Sequence, residues 1–87
     1  MAQKEAESEN TFGVSEEILI YAFRYCLTRQ SYAVMDGYHM LKRNWDSMSV
    51  GTRRLIQEEI KNHLERNAQW IDRGDEGMWA RILRLPA

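Results

Sequence analysis

From Ser15 onward the apolar residues of this chain return every three or four positions, the helical period, and short polar segments separate the runs. Ser15 precedes EEILIYAFRYCLTRQ. A hydroxyl followed by two glutamates satisfies or complements the free N–H groups of a first turn, which predicts a helix over about Glu16 to Arg29. Leu19, Ala22, Phe23, Cys26 and Leu27 form one stripe of it. Ile18, Ile20, Tyr21 and Tyr25 make the opposite side apolar as well. A helix apolar nearly all round belongs at the centre of a bundle or in an interface.

TRQS breaks that pattern, and Ser31 is placed to cap a second helix. There Val34, Tyr38, Leu41 and Trp45 recur at spacings of four, three and four and mark one buried face. Gly37 costs this helix roughly 1 kcal/mol relative to alanine, a cost that close approach of the first helix would explain. DSMSVG reads as a turn with Ser49 as the next cap. A third helix then covers about Val50 to Ala68, with Leu55 or Ile56, Ile60, and His63 or Leu64 inward. DRGDEG reads as a turn, with Asp75 capping a short last helix that carries Met78, Trp79, Ile82 and Leu83, and Pro86 ends it.

No segment alternates apolar and polar residues as a half-buried strand would, and there is no internal repeat. The sequence therefore predicts an all-α protein, a compact bundle of three helices plus a short C-terminal helix. Residues 1–13 are polar and aperiodic and read as a flexible acidic tail, leaving 14–87 as a single helical domain.

Composition narrows the class of protein. The 87 residues suffice for one small domain, and three Trp, four Tyr and two Phe supply large side chains for its core. A single cysteine forms no intramolecular disulfide and points to a reducing compartment. The first residues lack the apolar segment of a signal peptide, and the longest apolar run, Ile18 to Phe23, is too short to span a membrane. The expected location is the cytoplasm. The net charge of −1 is unevenly spread: residues 1–17 carry −4 and the remainder +3. Between Arg24 and Arg54 six basic residues face only Asp36 and Asp46. Solvated helix faces explain most of these charges, and an anion-binding face is the other reading.

The usual signatures of catalysis are missing: there is no Gly-rich phosphate loop, no G-x-S-x-G and no carboxylate pair in an apolar setting. Cys26 would be nucleophilic if Arg24 or Arg29 lowered its pKa, yet it falls on the apolar stripe and reads as core. His39 and His63, the only histidines, have no metal-ligand spacing. The expectation is no enzyme, no metal and no cofactor. The two helices around TRQS imitate a helix-turn-helix, with Tyr32, Asp36, His39, Lys42 and Arg43 along the second. The turn lacks the usual glycine, and apolar residues dominate the presumed reading face. Arg24, Arg29, Arg53 and Arg54 contacting phosphates without reading bases is the stronger form of a nucleic-acid reading. A protein partner is favoured by the apolar excess of the first helix and by the many Met, Trp, Tyr and Arg residues.

EEILIYAFRYCLTRQSYAV, followed by Asn44–Trp45 and TRRLIQEEI, resembles small proteins encoded by bacteriophages and prophages that share a YAFRY-x-L-x-R-x-SYAV stretch. The resemblance covers roughly Glu16 to Glu65 and brings no catalytic residue with it. It implies a phage accessory protein that binds and disables a bacterial host protein or nucleoprotein, such as a CRISPR effector or another defence complex. The residues expected at the contact are Arg24, Arg29, Tyr32, Lys42, Arg43, Arg53 and Arg54. Direct nucleic-acid binding through the basic middle, and a homodimer through the first helix, are the competing expectations.

Overall fold

Four helices account for most of the described chain, residues 15–29 and 32–87 of the computed structural model. They are α1 (Glu16–Leu27), α2 (Tyr32–Asn44), α3 (Val50–Arg66) and α4 (Arg73–Leu83), with one 3₁₀ turn, Trp45–Ser47, after α2. No strand occurs among the described residues. The proposed cap Ser31 and the acidic tail 1–13 lie outside the described residues.

Ser15 caps α1 by accepting from the Ile18 N–H at 3.3 Å, and Ser49 caps α3 by accepting from the Thr52 N–H at 3.2 Å, as their positions in the sequence require. The last helix departs from expectation. Its cap is Asp72, whose Oδ2 accepts from the Gly74 N–H at 2.8 Å, so DRGDEG is largely helical and not a turn. Asp75, expected as the cap, sits buried inside the first turn. The two glycines lowered the apparent helicity of this stretch, but a good cap and two first-turn acids outweigh them. With 11 residues, α4 is nearly as long as the 12-residue α1.

The helices pack in a ring, α1 beside α2 and α3, with α4 closing the far side between the same two. Each contributes one buried stripe. Leu19, Phe23 and Leu27 come from α1, and Val34, Tyr38 and Leu41 from α2, with Trp45 just beyond it. Ile56 and Ile60 come from α3, Trp79 and Ile82 from α4. Across the centre Phe23 meets Trp79 edge to face at 5.9 Å and 86°, a geometry worth about 0.5–1.5 kcal/mol beyond area burial. Gly37 lets α1 and α2 close up: a Cβ built there would lie 2.8 Å from the Cys26 Cβ and 3.2 Å from the Trp79 ring.

Polar side chains stitch the ends together. Arg53 donates to the carbonyl oxygens of Trp45 (2.8 Å), Asp46 (3.1 Å) and Ala87 (2.8 Å). Gln57 donates to the Ile82 and Leu85 carbonyls at 3.0 and 2.9 Å, and Trp45 Nε1 to that of Pro86 at 2.8 Å. Glu16 does a second task beyond its own first turn. Its carboxylate accepts from the Ser49 N–H, from Ser49 Oγ (3.1 Å) and from Thr52 Oγ1 (2.7 Å), so it sits at the N-terminus of α3.

Burial alone would raise the Glu16 pKa, but the hydrogen bonds from Thr52 and Ser49, with the nearby Arg53 charge, hold it below the ordinary 4.5. A depressed carboxyl pKa contributes stability above the unfolded value and loses it as pH falls through the folded one. Glu16→Gln is expected to cost about 1–3 kcal/mol at neutral pH. Urea melts at a series of pH values should also show a shallower acid loss, below about pH 4.5, in the variant than in the parent. Parallel acid profiles would remove Glu16 from that role.

Candidate protein-docking face

Among the described residues the outward side of α1 carries three of the large apolar side chains that the bundle leaves exposed. Ile18, Tyr21 and Tyr25 are 59%, 78% and 56% exposed. At 100° per residue the three project within an arc of about 60°, opposite the Leu19–Phe23–Leu27 stripe. The sequence offered two settings for a helix apolar nearly all round, the bundle centre or an interface. In the structure α1 is peripheral, and only one of its two apolar sides is used by the fold. Beside this face Glu17, Ile20, Tyr21, Arg24 and Leu55 line an open groove of about 390 Å³ between α1 and α3.

Charges edge the face unevenly. Arg24 lies along one margin and is held by Glu59 of α3, with Nε 3.0 and 3.1 Å from the two carboxylate oxygens. Glu59 is thus a brace between α1 and α3. On the other margin Arg29 stacks its guanidinium over the Tyr25 ring, 4.2 Å from the centroid, and forms no ion pair among the described residues. A stacked guanidinium is less hydrated than an ammonium and keeps its donors free, which suits recognition of a carboxylate. Tyr32, at the start of α2, is 80% exposed.

The seven residues expected at a contact do not form one patch. Arg24 and Arg29 stand on opposite margins of the α1 face, and Tyr32 opens α2. Lys42 and Arg43 are exposed in the last turn of α2, about 15 Å along the helix from Tyr32. Arg54 is exposed near the start of α3, while Arg53 is occupied by three backbone carbonyls. Two exposed residues had no warning in the sequence. Trp70, in the α3–α4 connection, is 73% exposed, and Arg81 of α4 reaches the Tyr38 ring of α2. Neither position follows from periodicity, because both depend on how α4 docks.

The groups with possible chemistry are held quietly. Cys26 is half-buried against the core. Burial pushes its thiol pKa up, the Asp36 charge adds to that, and Arg29 offsets only part of it. This is the opposite of thiolate activation. His63 lines a cavity of about 160 Å³ at the joint end together with Arg29, Asn67, Trp70 and Asp75. Its burial lowers its pKa, and Asn67 Nδ2 lies 3.3 Å from its Nδ1, so the ring is neutral at pH 7. Among the described residues no three His, Cys, Asp or Glu side chains are grouped to hold a metal ion, and no helix is long and apolar enough to cross a membrane.

Comparison with protein-family models, curated proteins and solved structures finds no match to this chain.

Proposed function

We propose that this chain is a non-enzymatic phage accessory protein that works in the bacterial host cytoplasm. Through the outward face of α1 it docks on a host protein or nucleoprotein, a CRISPR effector or another defence complex, and inhibits it. The observation that carries the reading is the cluster of Ile18, Tyr21 and Tyr25, exposed on one arc and flanked by Arg29 stacked on Tyr25. Rigid aromatics beside an arginine are the residue types that dominate the energy of protein interfaces. The complementary surface is apolar and carries carboxylates where Arg29 arrives. The phage setting rests on the YAFRY-x-L-x-R-x-SYAV stretch, whose Tyr25, Arg29 and Tyr32 all stand at this end of α1.

The alternative is contact with nucleic-acid phosphates through the basic middle. It has fewer free cations than the residue count suggests, because Arg24 is ion-paired and Arg53 is bound to carbonyls. Affinity purification of the tagged protein from host lysate, with and without nuclease, separates the two readings. A docking protein keeps its partner after nuclease treatment. The variant carrying Arg29→Glu, Lys42→Glu and Arg43→Glu should fold and lose that partner. Full retention by the triple variant would clear the basic residues of any part in the contact.

A further inference from the structure

A second surface, remote in sequence from the α1 face, has its own distinctive chemistry. Lys42 of α2 places Nζ 5.9 Å from the centroid of the Tyr38 ring, and Arg81 of α4 places Cζ 6.0 Å from the same centroid. The two cations therefore stand within about 12 Å of each other, a distance comparable to the Debye length of roughly 10 Å at 0.1 M salt, so one anion feels both. The ring that both approach is fixed: Tyr38 is 8% exposed and belongs to the core cluster. His39 packs on it at 5.2 Å and 62°, and is itself exposed.

Among the described residues neither cation forms an ion pair. The ion pair among the described residues is Arg24–Glu59, on another side of the bundle. Folding has thus brought two like charges from separate helices to the same aromatic side chain. Two exposed cations at this spacing attract an anion that lies between them. Exposed Lys and Arg side chains from two helices beside one another are the groups that proteins use to contact the phosphates of a nucleic-acid strand.

We infer that the α2–α4 seam binds the phosphate backbone of a nucleic acid, with Lys42 and Arg81 contacting phosphates and His39 lying alongside the strand. The inference rests on the proposed function only in taking the docked complex to be a nucleoprotein, whose nucleic acid this seam would touch. It assigns the phosphate contact to Arg81, and no longer to Arg24 or Arg53.

The test uses the purified full chain, so it stands or fails apart from any capture experiment. Fluorescence anisotropy with a short fluorescein-labelled RNA, and with the corresponding single-stranded and duplex DNA, is followed from low to physiological salt. The parent protein should bind at low salt with an affinity that falls as salt rises. The pair Lys42→Glu and Arg81→Glu should weaken binding at least about tenfold and reduce the log–log salt slope by roughly 1.5. Lys42→Gln with Arg81→Gln should give a smaller loss in the same direction. Arg66→Glu with Arg73→Glu changes the net charge equally at exposed positions away from the seam, and should cost less than about threefold. Circular dichroism confirms that each variant is folded. The inference is overturned if the parent binds none of the probes at low salt, if the seam variants bind as the parent does, or if the control pair weakens binding as much as the seam pair.

Discussion

Gly37→Ala is expected to destabilise the protein by about 1–2 kcal/mol, although alanine is the better helix former by roughly 1 kcal/mol. The new Cβ would stand 2.8 Å from the Cys26 Cβ, an atom fixed to the α1 backbone, so α1 and α2 must separate to admit it. It would also press on the Trp79 ring at 3.2 Å, which ties α4 into the disturbance. Forcing a methyl into a packed core typically costs 1–3 kcal/mol, more than the propensity gain in a site that cannot yield. Gly37→Val adds two further methyls and should cost about 3 kcal/mol or more, a large part of the 5–15 kcal/mol typical of a folded domain. The same exchange at Gly77, in the interior of α4 with nothing within 4 Å of the added Cβ, should stabilise by about 0.5–1 kcal/mol. Thermal melts read both, at about 4–8 °C per kcal/mol for a domain of this size. If Gly37→Ala melts at or above the parent temperature, the close helix contact does not hold the bundle as described.

That glycine shows how far the sequence alone reaches. Its place on the inner side of a helix whose Val34, Tyr38, Leu41 and Trp45 repeat every three or four residues was enough to suggest a close neighbour. The structure supplies Cys26 and Trp79 as those neighbours. Local signals of this kind, periodicity and hydroxyl caps, also placed the starts of α1 and α3. They failed at α4, where Gly74 and Gly77 read as turn residues and Asp72 was passed over for Asp75. The candidate site divides in the same way. The apolar excess of Ile18, Tyr21 and Tyr25 is visible in the letters, because one helix cannot bury two opposite sides in a single layer of neighbours. Which basic residues are free is not visible, because it is decided by tertiary partners. Glu59 takes Arg24 across 35 positions, the C-terminal carbonyl of Ala87 takes part of Arg53, and α4 brings Arg81 to Lys42. Charge counting ranked these side chains alike; packing separates them.

Removing the two tyrosine rings of the α1 face, Tyr21→Ala with Tyr25→Ala, should weaken capture of the proposed host partner at least about a hundredfold while leaving the melt within roughly 0.5 kcal/mol of the parent. The rings contribute nothing to the internal core, so the fold does not need them. An interface would feel their loss twice: apolar area goes, and Arg29 loses the Tyr25 ring that orients its guanidinium. Arg29→Lys sharpens the point, since it keeps the charge but not the planar donor fork, and should cost about tenfold on its own. The quantity to measure is partner recovered after nuclease treatment, at matched bait concentration, beside light scattering of the isolated protein over a dilution series. Equal recovery by the double variant would show that the face is not the docking surface. A mass that doubles with concentration in the parent, and stays single in the variant, would give the face to a second copy of the chain instead. Glu17 at one end of the arc and Arg29 at the other would then meet in antiparallel pairing. A monomer that captures its partner only with both rings present leaves the host surface as the occupant, and Tyr21 and Tyr25 as the residues that select it.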